Sequence, residues 1–515
     1  MSAKPLSKAT LMLLNIALAV ATFMIVLDYS IANVSIPYIA GDLGVSYDQG
    51  TYVITAFAVG NGIVLAISGW LTKRIGGAKL LIYSLLLFVF FSWLCGAAWN
   101  FSVLVVARFL QGAVAGPLIP LSQTLILKHN PPEKKNAVMA FWSMVVIVGP
   151  VVGPILGGWL TFDYKWPWIF FINVPIGIVA AFCIWRIIGK EKEEIEKVPL
   201  EVVGLILLIV GVSCLQIFLD KGQQYDWFRS PAMRFFGATA FLCLTFLVVW
   251  EVMHPRPLLD LRLARIRTYW ISLVSIAVAY AMYFGSVVLV PLWLQSNMGY
   301  TSPWAGIAVA PIGIAPVLFT IFVERVINKF GRIIPLCFSF IAFAISCFYT
   351  AYFTTDVDIY HVAFSRFLLG FGFIFFITPL IGLSLQGVPQ DRLANAASIF
   401  HFIRAIFGGI GTSIFTTMWL RRTYYHHERL GSALTEYTPN SIEFLKDVAQ
   451  VGITGEPATE LLNLTVDNQA ALLSINDCFF AMGWGFLALC LMLLLVRKSA
   501  SSSTSSHETP TIAAH

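Results

Sequence analysis

Apolar residues in this chain fall in long runs, and polar residues collect in the short stretches between them. A helix crosses the hydrocarbon of a bilayer with about 20 mostly apolar residues. Measured against that length, the sequence predicts fourteen spans, near 11–36, 50–71, 79–98, 101–127, 137–161, 168–188, 200–220, 233–253, 269–295, 303–323, 333–353, 360–385, 393–419 and 474–496. The first run follows a short basic stretch, Met1 to Lys8, and so resembles a signal peptide. It continues past Val26 with no small-residue cleavage site, which makes it a spanning helix. Two stretches fall outside the pattern. Residues 421–472, rich in Glu, Asn, Thr and His, form a long loop with a short helix expected around Ile442–Ala449. It is either a solvated spacer or a docking surface. The Ser/Thr-rich tail, 499–515, is expected to be disordered.

Composition changes this picture little and excludes much. Hydrophobic residues are 58% of the 515 and charged residues 12%, against roughly 45–50% and about 25% in soluble domains. The mean hydropathy of +0.80 rules out a soluble enzyme, a disordered protein and a disulfide scaffold. The net charge of +6 is not a nucleic-acid footprint, because the basic residues sit between spans, where they report orientation. With the N-terminus inside and fourteen spans, 22 of the 33 Lys and Arg lie on the inner side. Both ends are then cytoplasmic. The eight cysteines are scattered through apolar runs, without a metal-like or redox spacing, and read as small apolar fillers.

Weak internal repetition runs through the chain. Gly69–Gly76 closes the second span much as Glu324–Arg332 closes the tenth, and Arg108 with Gly112 in the fourth is echoed by Arg366 with Gly370 in the twelfth. The offset is close to 258 residues. Two six-span halves, 1–198 and 267–498, separated by an additional pair of spans in 199–266, account for that spacing. Transporters built from such repeats bind substrate near the midplane between them.

Several motifs make a family resemblance specific. Gly149-Pro150-Val151-Val152-Gly153-Pro154-Ile155-Leu156-Gly157-Gly158 matches the antiporter motif of the fifth span at each fixed position. Leu27–Pro37, Trp166–Gly177, Pro117–Gln123 and Leu219–Gly222 leading into Asp226-Trp227-Phe228 are similar to segments of the fourteen-span drug:proton antiporters. The chain thus resembles the major facilitator superfamily, and within it the EmrB-type multidrug efflux pumps of Gram-negative bacteria. The resemblance implies an all-α polytopic fold, export of hydrophobic or amphiphilic compounds against protons, an inner-membrane location, and a periplasmic adaptor with an outer-membrane channel as partners. It implies no cofactor, since the proton gradient supplies the energy. A dedicated exporter of a fatty acid or siderophore is the nearest alternative, and a membrane receptor or enzyme the more distant one. One departure stands out. Where the family's loop between spans two and three carries an Asp, this chain has Lys73, and Asn328 stands in the second copy.

Antiport needs an acid that can gain and lose a proton, reached from each side in turn. A charge within the bilayer costs several kcal/mol unless paired. Asp28 stands about seventeen residues into the first span and is read as the only carboxylate at that depth. It is either the coupling residue or a structural hydrogen-bond hub. Arg108 matches the family's fourth-span arginine; permanently protonated, it tunes a carboxylate rather than carrying the proton. Asn33, Tyr280, Tyr283, Phe284, Arg366, Phe373 and Arg404 are read as lining the substrate cavity, with Phe371, Phe375 and Phe376; the alternatives are lipid-facing anchors for the aromatic residues and helix bracing for Arg366 and Arg404. Glu251 and Glu324 are expected at solvated span ends. No zinc pattern, nucleotide loop or nucleophile elbow is present in the sequence.

Overall fold

A computed structural model of the chain describes residues 7–500 apart from 192, 194, 196–198, 256, 390, 391 and 436. The tail beyond residue 500, where the sequence predicts disorder, lies outside the described residues. The elements are helices throughout, with no strand among the described residues. They are α1 (Lys8–Ile31, continued by a 3₁₀ turn through Val34), α2 (Tyr52–Ile75), α3 (Gly77–Gly96), α4 (Phe101–Ala115, resuming as Leu118–His129), α5 (Pro132–Tyr164), α6 (Asn173–Ile188) and α7 (Val202–Lys221). There follow α8 (Pro231–Met253), α9 (Arg267–Ser296), α10 (Ser302–Val309, Ile314–Phe319 and Val323–Phe330, joined by 3₁₀ turns), α11 (Ile333–Thr350), α12 (Ile359–Ile374, resuming as Ile377–Ser384), α13 (Leu393–Ala433) and α14 (Glu456–Ala500). Thirteen helical stretches are, among the described residues, long and apolar enough to cross a membrane. The 33-residue α5 stands at the remaining expected span.

The repeat seen in the sequence is also a repeat of local structure. Asn100 caps α4 by accepting the Val103 N–H at 2.8 Å, and Asp358, 258 residues later, caps α12 by accepting the His361 N–H at 2.9 Å. Such side chains satisfy amides that a helix N-terminus leaves free. At the other end of the motif, Gly76 and Gly331 stop α2 and α10 with φ of 92° and 73°, a left-handed backbone that glycine adopts without strain. Packing repeats as well. Within the first six helices α1 lies against α5 and α6, α2 against α4, and α3 against α4 and α6. Within the last six, α9 lies against α13 and α14, α10 against α12, and α11 against α12 and α14. The two sets meet where α2 packs on α13 and α5 on α10, while α7 joins the outside of the α2–α13 seam and α8 packs on α7.

Two expectations need correction. The segment 421–472 is not a long loop: α13 continues to Ala433 and α14 begins at Glu456, and a helix at Pro439–Gln450 occupies the connection. Polar pairs hold this extension as a helical hairpin. Asp477 on α14 takes Arg422 Nε at 2.6 Å and His426 Nε2 at 2.8 Å, and His427 meets Asp467 at 3.2 Å. Sequence composition marked these residues as solvated; they are partly exposed, each helix satisfies its own backbone, and the side-chain pairs join the two helices. Secondly, Glu251 is not at a solvated surface. It is fully buried, accepts the Leu259 N–H at 3.0 Å, and sits beside Glu201, which caps α7 through Gly204 N at 2.9 Å. Glu324 is exposed as expected.

The antiporter motif gives α5 two faces without bulk. On one, Cβ atoms built on Gly149, Gly153 and Gly157 would stand 2.7 Å from Val26 Cγ1, 2.5 Å from Ser30 Cβ and 2.5 Å from Ile31 O, all on α1. On the other, a Cβ on Gly158 would stand 2.5 Å from Ser302 O on α10, and Gly306 of α10 presses on the Pro154 carbonyl. Pro150 and Pro154 lie inside the helix, where each removes one backbone donor. Small residues permit this approach where lipid offers no hydrophobic drive for helices to associate. We expect Gly157→Leu to lower the thermal stability of the detergent-purified protein by about 1–3 kcal/mol, the usual scale of overpacking. Gly41→Leu, with nothing within 4 Å of its Cβ position, is expected to leave the melting temperature unchanged.

Candidate functional site

Asp28 lies in the last turn of α1 before its 3₁₀ turn, and no part of it reaches solvent. One carboxylate oxygen, Oδ2, receives the Arg108 guanidinium from α4 in a buried ion pair. The other, Oδ1, accepts Nδ2 of Asn173 from α6 at 2.9 Å and Nε2 of Gln111 at 3.2 Å. Arg108 also donates from Nε to the Val53 carbonyl of α2 at 3.0 Å and from Nη1 to Gln111 Oε1 at 2.8 Å. Its planar cation also lies over the rings of Phe57, 4.3 Å away, and Phe170, 5.3 Å away. Asn173 in turn donates to the Ser92 hydroxyl of α3 at 3.1 Å, and Ser92 donates to the Phe170 carbonyl at 2.9 Å. Five of the first six helices therefore converge on one carboxylate. The paired charges and nearly complete hydrogen bonding make this a tolerable burial.

The next residue along α1, Tyr29, points elsewhere. Its ring meets Phe57 edge-on at 4.6 Å and Phe284 of α9 at 6.0 Å. Phe284 packs on Tyr280 at 4.8 Å, Tyr283 packs on Phe373 of α12 at 4.9 Å, and the Arg404 guanidinium of α13 lies over Tyr280 at 5.4 Å. Arg404 Nε is buried without a hydrogen-bond partner. The structure thus brings Tyr280, Tyr283, Phe284, Phe373 and Arg404 together, and Tyr29 connects them to the Asp28 site. Asn33 is not in this group. It is enclosed in the 3₁₀ turn after α1, its Oδ1 unpartnered, beside Val34, whose carbonyl accepts Gln295 Nε2 at 2.9 Å and the Ser302 hydroxyl at 3.2 Å.

Arg366 occupies the place in the last six helices that Arg108 occupies in the first six. It donates to the Ser286 hydroxyl at 2.8 Å, to Thr350 at 2.9 Å and to Ser365 at 3.1 Å, and lies over Phe479 at 5.2 Å. Ser286, Thr350 and Arg366 stand 258 residues after Asp28, Ser92 and Arg108. The second copy keeps the arginine and the hydroxyl, and places a serine where the first has its carboxylate. Arg366 is only 1% exposed and its donors are committed to neutral oxygens. Its donors are turned to Ser286, Thr350 and Ser365 and not to the aromatic group.

At the face where α1 starts, acids from beyond α6 stand at the loop that has Lys73 in place of the family's Asp. Glu193 Oε2 accepts the Ala78 N–H at 3.1 Å, close to Gly76, and Glu193 also pairs with Lys128 at 3.2 Å. Glu191 pairs with His129 at 2.9 Å. A carboxylate therefore does sit at the start of α3, supplied from another part of the chain. Sequence reading missed Glu193 for that reason, and missed Gln111, Asn173 and Ser92 as ligands of the Asp28 site. Asn173 lies within the Trp166–Gly177 motif, which was its one visible signal. Among the described residues no group of three His, Cys, Asp or Glu side chains is placed to hold a metal.

Fourteen principal helices among the described residues, in a repeated six-helix pattern, with a buried acid–arginine pair linked through Phe57 and Tyr29 to an aromatic group between the two sets, define a polytopic transporter. The chain belongs to the major facilitator superfamily, whose family model matches residues 18–412. It is 42% identical over 490 residues to the multidrug export protein EmrB of Haemophilus influenzae, covering 95% of this chain and 96% of that one. It is 39% identical to the fatty acid resistance protein FarB of Neisseria gonorrhoeae, covering 98% of this chain and 99% of that one. Among solved structures, a peptide transporter POT in complex with sulfate superposes with a TM-score of 0.66 at 15% identity, over 95% of this chain and 94% of that one, a likeness of fold.

Removing one partner of a buried pair leaves a stranded charge, which typically costs about 3–5 kcal/mol. We expect Arg108→Gln to destabilise the purified protein on that scale, and Asp28→Asn added to it to restore most of the loss. Arg366→Gln, which strands no carboxylate, is expected to cost less than Arg108→Gln in the same thermal-unfolding series.

Proposed function

We propose that the chain is a proton-driven exporter of hydrophobic and amphiphilic toxic compounds, working in the inner membrane of a bacterium with both termini in the cytoplasm. The observation that carries this reading is the fully buried Asp28–Arg108 pair, one residue from a tyrosine that touches the aromatic group. Protonation of Asp28 cancels its charge and leaves the Arg108 cation to its carbonyl and amide partners and to the Phe57 and Phe170 rings. Phe57 touches both Arg108 and Tyr29, so a shift of the guanidinium is felt at the wall formed by Tyr29, Phe284 and Tyr280. Proton uptake at Asp28 and substrate occupancy at that wall then compete through three ring contacts. The relatives named for multidrug export, and the excess of basic residues on one side of the predicted spans, support the direction and the location.

Dedicated export of an anionic amphiphile is the second reading, favoured by Arg404 with its unpartnered buried Nε among aromatic rings and by the likeness to a protein named for fatty acid resistance. A broad exporter moves cationic dyes and fatty acids alike; a dedicated one moves only the latter. For partners, we propose a periplasmic adaptor with an outer-membrane channel. The helical hairpin built from the end of α13, the Pro439–Gln450 helix and the start of α14 is the surface that would meet the adaptor.

Asp28→Asn is expected to abolish substrate efflux driven by an imposed pH gradient in everted vesicles while leaving membrane insertion intact. Wild-type proton-coupled efflux by that variant would remove Asp28 from the coupling role. Replacing 434–455 by a Gly/Ser linker is expected to spare vesicle transport and to lower drug resistance of cells with an intact outer membrane. Equal retention of both activities would leave the hairpin without a partner.

A further inference from the structure

A second carboxylate, outside the Asp28 site, clasps three helices. Asp220 lies at the end of α7, the first of the additional pair. Its Oδ2 accepts the Thr55 hydroxyl of α2 at 2.8 Å, and its Oδ1 accepts Gln216 Nε2 of its own helix at 2.8 Å and the Ser413 hydroxyl of α13. Gln216 Nε2 also reaches Ser413 Oγ at 2.6 Å, and the Tyr52 hydroxyl of α2 donates to the Asp220 carbonyl at 2.7 Å. Thr55 and Ser413 are almost wholly buried, at 0% and 3% exposure. The clasp therefore spans the seam where the first six helices meet the last six.

Unlike Asp28, this acid has no cation in hand. Among the described residues no Lys or Arg nitrogen comes within salt-bridge distance, 4.0 Å, of its carboxylate. The charged and titratable groups around it are Lys221, which follows it on α7, Tyr225 just beyond, Tyr52 and Asp48 on the α2 side, and Arg421 and Arg422 further along α13, the latter held by Asp477. A cavity of about 360 Å³, lined by Leu219, Trp227, Ser413, Thr417 and Arg421, reaches the Ser413 side of the clasp and offers water an approach.

The local hydrogen bonding has two solutions. With Asp220 ionised, its oxygens accept from α2 and α13 and hold both. With a proton added, the carboxyl becomes a donor, and an acceptor stands ready: Gln216 Oε1, one turn earlier on α7, is buried without a partner. Both hydroxyls have alternatives within their own helices, since Thr55 Oγ1 also reaches the Tyr52 carbonyl at 3.3 Å and Ser413 Oγ the Gly409 carbonyl at 3.1 Å. A proton taken from water thus lets the two hydroxyls that strap α2 and α13 to the carboxylate turn to carbonyls of their own helices, so that neither is stranded, which is the usual cost of breaking a buried network; the Tyr52 and Gln216 contacts alone then cross the seam.

We infer that Asp220 is a second proton-binding site, whose ionised form latches the α2–α13 seam shut at the face that bears the α13–α14 hairpin and whose protonated form releases it. The inference rests on the proton-driven reading above and gives the additional helix pair a role, since α7 carries the acid that the two six-helix sets lack at this seam. A proton arriving from the hairpin face would open that face, the direction a proton-for-substrate exchanger needs when it discharges cargo there.

The test is hydrogen–deuterium exchange of the full chain in lipid nanodiscs, read on peptides covering residues 47–58 and 409–421 and corrected for intrinsic exchange. In the wild type we expect uptake in both peptides to rise about tenfold between about pH 8 and about pH 5, the signature of a local opening that gains population. Asp220→Asn, which places a donor and an acceptor where the protonated acid would have them, is expected to be open at both pH values and to lose the pH response. Asp220→Glu is expected to retain a response. Ser413→Ala, which removes one strap and keeps the acid, is expected to open more readily and still respond. A pH response in Asp220→Asn equal to that of the wild type would overturn the inference, as would a wild type whose two peptides ignore pH. Transport in proteoliposomes separates the two readings. If efflux there ignores an imposed pH gradient, the proton-driven function fails, whatever the exchange data give. If efflux follows the gradient and Asp220→Asn keeps the wild-type exchange response, only the latch fails.

Discussion

A carboxylate and a guanidinium enclosed together in a low-dielectric interior govern the arrangement of the first six helices. Neither charge survives there alone, because desolvation costs several kcal/mol per ion after relaxation. The chain meets that cost by directing neutral dipoles from surrounding helices at the pair: the Val53 carbonyl of α2, the Ser92 hydroxyl through Asn173, and Gln111 one turn beyond Arg108. Helices α1, α2, α3, α4 and α6 are thereby tied to one point, and the aromatic rings over the cation close off water. The last six helices solve the same problem with less charge. Their arginine rests on Ser286 and Thr350, and the half as a whole has no acid at the corresponding place.

That asymmetry shapes the chemistry available to the molecule. Two copies of one architecture differ in whether their central arginine faces a group that can take a proton. The first copy pairs its arginine with a carboxylate; the second rests its arginine on neutral hydroxyls. Between them lie Tyr29, Phe284, Tyr280 and Arg404, contributed by both copies, so the aromatic group borders the charged copy on one side and the neutral one on the other. The additional pair α7–α8 is not a spacer in this arrangement. Asp220 reaches into the seam between the copies from the side, and α8 shields α7 from behind.

Much of the fold was legible in the sequence because a bilayer demands that backbone polar groups be satisfied within each crossing segment. Apolar runs of sufficient length therefore marked the helices within a few residues, as α3, α7 and α8 illustrate. The failures have physical reasons. The end of α13 and the start of α14 are polar, so hydropathy was blind to helices that pair through Asp477 with Arg422 and His426. Asp28 and Arg108 stood out because charge within an apolar run is rare. Gln111, Asn173 and Ser92 did not, since a neutral polar residue in a span has many uses and only three-dimensional convergence identifies this one. Asp220 was visible as part of a motif but lay at a predicted span end, where an acid ordinarily meets water. Partners on two other helices make it something else.

Helix α13 is continuous over 41 residues, about 60 Å of rod at 1.5 Å per residue. Its inner portion is one wall of the seam with α2, and its far end is one arm of the hairpin. A rod of that length acts as a lever. A tilt of about 10° about its midpoint carries the tip by roughly 5 Å, several times the displacement close to the fulcrum. Side-chain movements of an ångström or two at the seam are thus presented at the tip of the hairpin at a scale another protein could sense by contact alone, with no separate signalling element between the seam and that tip.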